Sequence, residues 1–243
     1  MKILAIVNQK GGTGKSTTAA ALSQAAAAQG KKALAIDLDP QFNLTLMLDA
    51  DQNQGTSLEL LEGTASADEL IQHSPTGPDI IPASQYNTLI KPEKSKTRLK
   101  KALESLKTPY DLIVIDTPPT AGEFQYNALR AATGLLIPLY ADIFSYQGLC
   151  NFFGTTMKEI KPELSFAGII LTRHEDRTTI SRQMKANIIS TAEKFNFDYM
   201  GAIRRGVAIQ EAQALQKNLF EYAPKSKPAL DYMELYKKIM EEK

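Results

Sequence analysis

Residues 10–16 read KGGTGKS, three glycines and two lysines in seven positions, directly after the apolar run at 3–7. Lysines set among glycines suit phosphate. Glycine lets the backbone turn so that successive N–H groups converge on phosphate oxygens. A helix starting at Ser16 adds its dipole and its free N–H groups. In that arrangement Lys15 meets the β- and γ-phosphates of a nucleotide, and the Ser16 hydroxyl ligates Mg²⁺. A plain glycine turn between strand and helix is the alternative, and the Gly-Lys-Ser ending in this context argues against it. The common pattern has a glycine five positions before Gly14. This chain has Gln9 there, and a second lysine, Lys10, stands beside the glycines.

Carboxylates occupy the complementary places. Asp37 and Asp39 follow the apolar run at 33–37, and Asp116 closes the run at 111–116. In a doubly wound sheet, ligands bind beyond the carboxyl ends of the strands, so the three can converge near the phosphates. A carboxylate after a buried apolar run fits the role of holding Mg²⁺ directly or through water. Singly, each is as readily a helix cap or a turn residue. Together with a phosphate loop they read as a site.

The elements that must position these residues are legible as a pattern. The runs 3–7, 33–37, 111–116, 134–140 and 166–172 lack polar alternation, as strands buried on both faces do. Helical patterns lie between them at 16–29, 97–107, 124–132, 146–160 and 180–195, and Gly30 sits where the first helix should stop. The order predicts an α/β fold, a doubly wound and mainly parallel sheet with helices on both faces. "HSPTGPDIIPAS" reads as loop around a short strand, and residues 198–200 as the start of one more strand. No repeat or linker divides the chain, so residues 1–243 are expected to form a single domain.

Of the 243 residues, 43% are hydrophobic, enough for a sizeable core. With 28 basic and 27 acidic side chains, net charge gives no argument for nucleic acid or membrane, and any such partner must come from local patches. The single cysteine, Cys150, excludes an intrachain disulfide and a multi-cysteine metal site. No apolar run approaches the roughly 20 residues that span a bilayer, and the N-terminus does not read as a signal peptide, so a cytoplasmic protein is expected.

"KGGTGKST" resembles the deviant Walker A motif of the ParA/MinD superfamily of ATPases, whose mark is the lysine at position 10. "DLDPQFNLT" is similar to the second motif of the ParA branch and "YDLIVIDTPP" to its Walker B strand. "PDIIPAS", "NALRAATGLLIPL" and "YQGL" extend the likeness over most of the chain, and it weakens through the last 80 residues. The short N-terminus resembles the small ParA proteins without an upstream helix-turn-helix. The resemblance implies nucleotide binding by Lys10, Gly11, Gly12, Thr13, Gly14, Lys15, Ser16 and Thr17. It implies a homodimer closed on two ATP molecules, with Lys10 reaching the phosphates of the partner. Asp39 would position or activate the attacking water. Asp37 and Asp116 would support Mg²⁺, and Thr117, Pro118 and Pro119 would sense the γ-phosphate. The cofactors implied are ATP and Mg²⁺. The function implied is partition of a plasmid, mobile element or chromosome with a ParB-like partner. The alternative is a MinD-like or orphan switch that positions or regulates a protein.

Two departures stand out. Phe42 falls where the ParA pattern usually has glycine, and Arg204 where a proline is expected. Non-specific DNA binding by the ATP dimer is a further implication, through phosphate neutralisation and counterion release. Arg173, Arg177, Arg182, Lys185, Arg204 and Arg205 are the candidates, with nucleoid association as the consequence. The basic stretch 91–107 carries leucines at helical spacing and reads as one packed face with solvated lysines. His73 and His174 read as surface residues of polar loops. The tail carries Tyr232, Leu235, Tyr236 and Ile239 on one side and four acids. It is expected to dock on the core, with no stable membrane association.

Overall fold

The computed structural model describes residues 1–86, 97–156, 164, 166–175 and 179–241. An eight-stranded sheet forms the centre, in the order β3-β4-β2-β5-β1-β6-β7-β8. Its strands are β1 (Lys2–Ile6), β2 (Ala33–Asp37), β3 (Gln72–His73), β4 (Asp79–Ile81), β5 (Leu112–Asp116), β6 (Gly134–Leu139), β7 (Phe166–His174) and β8 (Asp198–Arg204). All neighbours pair in parallel except β3 and β4, which are antiparallel.

The unbroken apolar runs are explained by burial on both faces. Ile113 and Ile115 of β5 join the core on one side, and Leu112 and Val114 join the core on the other. Period-2 geometry sends alternate side chains to opposite faces, and both faces are covered. One cover holds α3 (Ser57–Glu62), α4 (Ala67–Leu70), α5 (Arg98–Glu104), α6 (Glu123–Ala131), α7 (Ile143–Gly154) and α8 (Thr179–Lys194). The other holds α1 (Lys15–Ala28), α2 (Asn43–Met47), α9 (Ala208–Ala214), α10 (Leu219–Tyr222) and α11 (Lys227–Glu241). Every residue of α1 from Thr18 to Ala26 is buried. Its alanines, small on all sides, allow that close approach. The apolar face of α11 is spent on the same core: Tyr232, Leu235, Tyr236 and Ile239 are all buried. Among the described residues no helix is long and apolar enough to cross a membrane.

Several elements differ from the sequence expectation. α5 stops at Glu104 because the Asp68 carboxylate takes the backbone N–H groups of Lys107 and Thr108. The first part of the basic stretch, 91–96, lies outside the described residues, as do 157–160 at the end of the helix expected at 146–160. That helix begins earlier, at Ile143, because Asp142 caps it by accepting from the Ser145 N–H at 2.7 Å. β7 runs on to His174, so this histidine is not a surface loop residue. It is 7% exposed at the strand end. β8 extends to Arg204, past the 198–200 start.

Candidate functional site

The phosphate loop leaves β1 in the middle of the sheet and enters α1. Gly12 and Gly14 hold φ of 75° and 89°, the left-handed region that side chains with a Cβ rarely adopt. A Cβ on Gly14 would also meet Thr172 at 3.5 Å. Three contacts set the loop. The Asn8 side-chain Oδ1 accepts from the Lys10 N–H at 2.9 Å. The Thr172 hydroxyl donates to the Thr13 carbonyl at 2.8 Å, and the Tyr140 hydroxyl donates to the Gly12 carbonyl. Thr18 N–H bonds the Gly14 carbonyl and begins the α1 ladder.

Asp37 and Asp116 end adjacent strands in register, and Ile6 of β1 pairs with Asp116 on its other side. This brings the three carboxylates and Lys15 together. Asp37 is fully buried. One of its oxygens accepts from the Asp39 N–H at 3.0 Å, and the other from the Thr45 N–H at 2.9 Å and the Thr45 hydroxyl at 2.8 Å. Burial pushes its carboxyl up to about 7, against the pull of those bonds. Asp116 is also fully buried. Its Oδ1 accepts from the Thr117 N–H at 3.0 Å, while its Oδ2 is buried without a hydrogen-bond partner. Burial, then the Asp37 charge, push its carboxyl well above the ordinary range, against Ser16 and Lys15 beside it. Lys15 is lowered by burial, countered by Asp116 and Asp39. Asp39 is 6% exposed and borders the cleft. An unpartnered buried carboxylate oxygen next to a serine hydroxyl is a hard-oxygen set suited to a divalent cation such as Mg²⁺.

Lys10 points elsewhere. Its ammonium is held by both Asp142 oxygens, at 3.0 and 2.9 Å, and by the Ser145 hydroxyl at 3.2 Å. It also lies 5.8 Å from the Tyr140 ring centre and 5.7 Å from that of Phe144. Of the switch residues, Thr117 is buried and donates to the Ile6 carbonyl at 2.8 Å, and Pro119 borders the cleft.

The cleft has a volume of about 1130 Å³ and runs from Gly11–Thr17 to the end of β8. Beyond the loop its lining carries Ile203, Val207, Ile209 and Met47, with Gln210 and Gln213 among them, and Gln213 Nε2 donates to the Thr17 hydroxyl at 3.3 Å. The sequence reading assigned no nucleotide-binding residue to this part of the cleft. Asp142 and Tyr140 were missed as well, although both directly follow the apolar run of β6. The basic candidates separate. Arg173, Arg204 and Arg205 line the cleft. Arg182 and Lys185 sit on α8, Arg182 exposed and the Lys185 ammonium 5.8 Å from the Tyr199 ring centre. Arg177 lies outside the described residues.

Comparison with known proteins adds relatives of this architecture. Residues 1–166 match the AAA domain family. The sporulation initiation inhibitor protein Soj of Bacillus subtilis (strain 168) is 34% identical over 251 residues, covering 98% of each chain. The chromosome partitioning protein ParA of Caulobacter vibrioides (strain NA1000 / CB15N) is 32% identical over 253 residues, covering 99% of this chain and 94% of the relative. The septum site-determining protein MinD of Pyrococcus horikoshii OT3, solved with Mg-ADP, shares the fold at a TM-score of 0.80 and 25% identity, covering 98% of this chain and 95% of that one. A glycine loop of this geometry, a carboxylate cluster at the strand ends, and whole-length relatives of this kind agree: the chain belongs to the AAA domain family and, within it, to the ParA/Soj-type ATPases of the ParA/MinD superfamily.

Proposed function

We propose that residues 1–243 form one Mg²⁺-dependent ATPase domain that pairs on ATP, binds DNA without sequence preference and drives DNA partition with a ParB-like partner. The observation that carries the reading is the buried, unpartnered Asp116 oxygen beside Ser16 and Lys15, at the foot of a glycine loop whose cleft has room for a nucleotide. Relatives named for chromosome partitioning, and a neighbour solved with Mg-ADP, support it.

The backbone N–H groups of residues 11–17 and the Lys15 ammonium receive the phosphates. Ser16 and Asp116 would hold Mg²⁺, which neutralises phosphate charge when bound. Asp37 has both oxygens already committed to protein donors, so it acts behind Asp116 rather than on the ion. Asp39 orients the attacking water and accepts its proton as the water oxygen bonds to the γ-phosphorus and the bond to the β-phosphate oxygen breaks. Thr117, Pro118 and Pro119 follow Asp116 directly, so loss of the γ-phosphate is felt there. Lys10 leaves Asp142 and reaches the phosphates of the partner copy, where it neutralises developing charge. Two ATP molecules thereby become part of the interface.

Phosphate release from ATP with Mg²⁺ tests the core of this. Asp39→Ala is expected to bind ATP as the parent does while its rate falls by about 10²–10⁴-fold. Near-normal turnover would overturn the role. Joint stimulation by DNA and by a basic arm of a DNA-bound partner is expected. A rate that neither changes would point instead to a switch that recruits or regulates proteins.

A further inference from the structure

Part of the cleft lining beyond the phosphate loop is a short connection, Arg205, Gly206 and Val207, between β8 and α9. Val207 presents an apolar side chain there, 67% exposed. Such a strand-end loop moves freely unless it is tied down, and this one is tied mainly to α11. The Asp231 carboxylate accepts from the Arg204 backbone N–H at 2.8 Å. It also accepts from Arg204 Nε at 3.1 and 2.9 Å and from Arg204 Nη2 at 2.6 Å. One carboxylate thus fixes both the main chain and the side chain of the last β8 residue. Beside it, a Cβ on Gly206 would lie 3.0 Å from the Pro228 ring, so the loop backbone rests on the first turn of α11. The ion pair of Arg205 with Glu175, at 3.3 Å, ties the loop to the end of β7.

α11 also holds α1. Tyr232, next to Asp231 in sequence and fully enclosed, has its hydroxyl 3.1 Å from the Thr18 hydroxyl in the first turns of α1. Consecutive residues of one helix therefore hold both the helix that follows the phosphate loop and the loop after β8. The Arg204 side chain is half exposed while that of Asp231 is 11% exposed, so the Coulomb energy is partly screened and the value of the pair lies in geometry: a planar fork on a carboxylate permits one orientation.

We propose that Asp231, acting through Arg204, is a positioning residue that sets the wall against which the nucleoside half of the nucleotide packs. This rests on the reading that the cleft binds ATP, with its phosphates on residues 11–17. Asp231 touches neither the phosphates nor the reacting atoms in this arrangement. Its removal lowers affinity for the nucleoside part and leaves the phosphate end and the chemical step intact.

The test compares two probes, ATP and inorganic triphosphate, each with Mg²⁺, by calorimetry. For Asp231→Ala, ATP is expected to bind about tenfold more weakly, equivalent to about 1.4 kcal/mol, while triphosphate binding stays within about twofold. In turnover, KM for ATP rises and kcat at saturation holds. Asp231→Asn, near-isosteric, guards against a fold defect and is expected to show a smaller loss of the same kind, and Asp231→Glu to recover part of the affinity. Unchanged ATP binding in both Ala and Asn variants, or equal weakening of ATP and triphosphate, would overturn the proposal. Failure of the parent protein to bind either probe would instead remove the ATP reading, and the positioning role with it.

Discussion

Phe42 holds a backbone conformation with φ 45°, which is uncommon for a bulky residue. It sits in the turn after Asp39, where its N–H bonds the Asp39 carbonyl at 2.8 Å and its carbonyl starts α2. A left-handed residue with a Cβ costs roughly 1–2 kcal/mol, which accounts for the glycine that related sequences were expected to carry here. Two effects then oppose one another in Phe42→Gly. Strain is relieved, while a half-buried ring worth about 1 kcal/mol or more leaves the surface. Stability by urea denaturation is therefore expected to change by less than about 1 kcal/mol. Phe42→Val loses the ring and keeps the strain, and is expected to cost about 2 kcal/mol. A larger loss for glycine than for valine would show that the ring, not the backbone, matters.

The neighbouring Asp37 gives a pH dependence with a defined sign. Its carboxyl is raised from 3.8 to about 7 in the folded protein, so between those values the folded state keeps a proton that the unfolded state has lost. Stability of the nucleotide-free protein from this group therefore falls as pH rises through that window and levels off above it. Asp116, also raised, acts in the same direction. The thermal midpoint of the nucleotide-free protein is expected to be higher near pH 6 than near pH 8. The gain in midpoint on adding Mg²⁺ and ATP is expected to be larger near pH 8 than near pH 6, because Asp37 has lost its proton there. A flat midpoint across this range would remove the burial argument.

At the scale of elements, the proposed function gives the glycine loop and α8 separate tasks. α8 presents Arg182 and Lys185 three positions apart, hence on one face, away from the phosphate cleft. Phosphate neutralisation makes affinity fall with salt at a slope of about 0.9 per contact. Arg182→Ala with Lys185→Ala is expected to weaken binding of random duplex DNA uniformly across sequences and to flatten the salt dependence by about 1 or more, with ATP hydrolysis in the absence of DNA preserved. An unchanged slope would move the DNA surface off this helix. Most elements were legible because apolar runs and helical spacing are local properties. Boundaries were less so. The true start of α7 depends on the Asp142 cap, and the end of α5 on Asp68, whose bonds reach Lys107 and Thr108 about 40 positions away.

At the scale of the whole molecule, the proposed pairing turns on Lys10. In one copy it is engaged by Asp142 and Ser145 and makes no contact with the buried carboxylates. Reaching a second copy means breaking that ion pair, with the Asp142 side chain 37% exposed and the contact screened accordingly, so the cost is small. Lys10→Ala is expected to bind ATP yet remain a monomer by light scattering. Asp142→Ala frees the lysine and is expected to pair at lower ATP concentration than the parent protein. An ATP-dependent dimer of Lys10→Ala would refute the crossing role.

The sequence by itself determined the phosphate loop, the strand-end carboxylates and the parallel sheet, because each is written in consecutive residues. It also placed the tail helix correctly, since Tyr232, Leu235, Tyr236 and Ile239 keep helical spacing and are buried as expected. Only the tertiary structure decided what those residues meet. It seated Lys10 on Asp142, 132 positions away, and buried His174 by extending β7 to the cleft. It also locked Arg204, which lines the cleft, to Asp231. The physical reason is that sheet order brings distant strand ends to one edge, and no spacing along the chain encodes which side chains will face each other there.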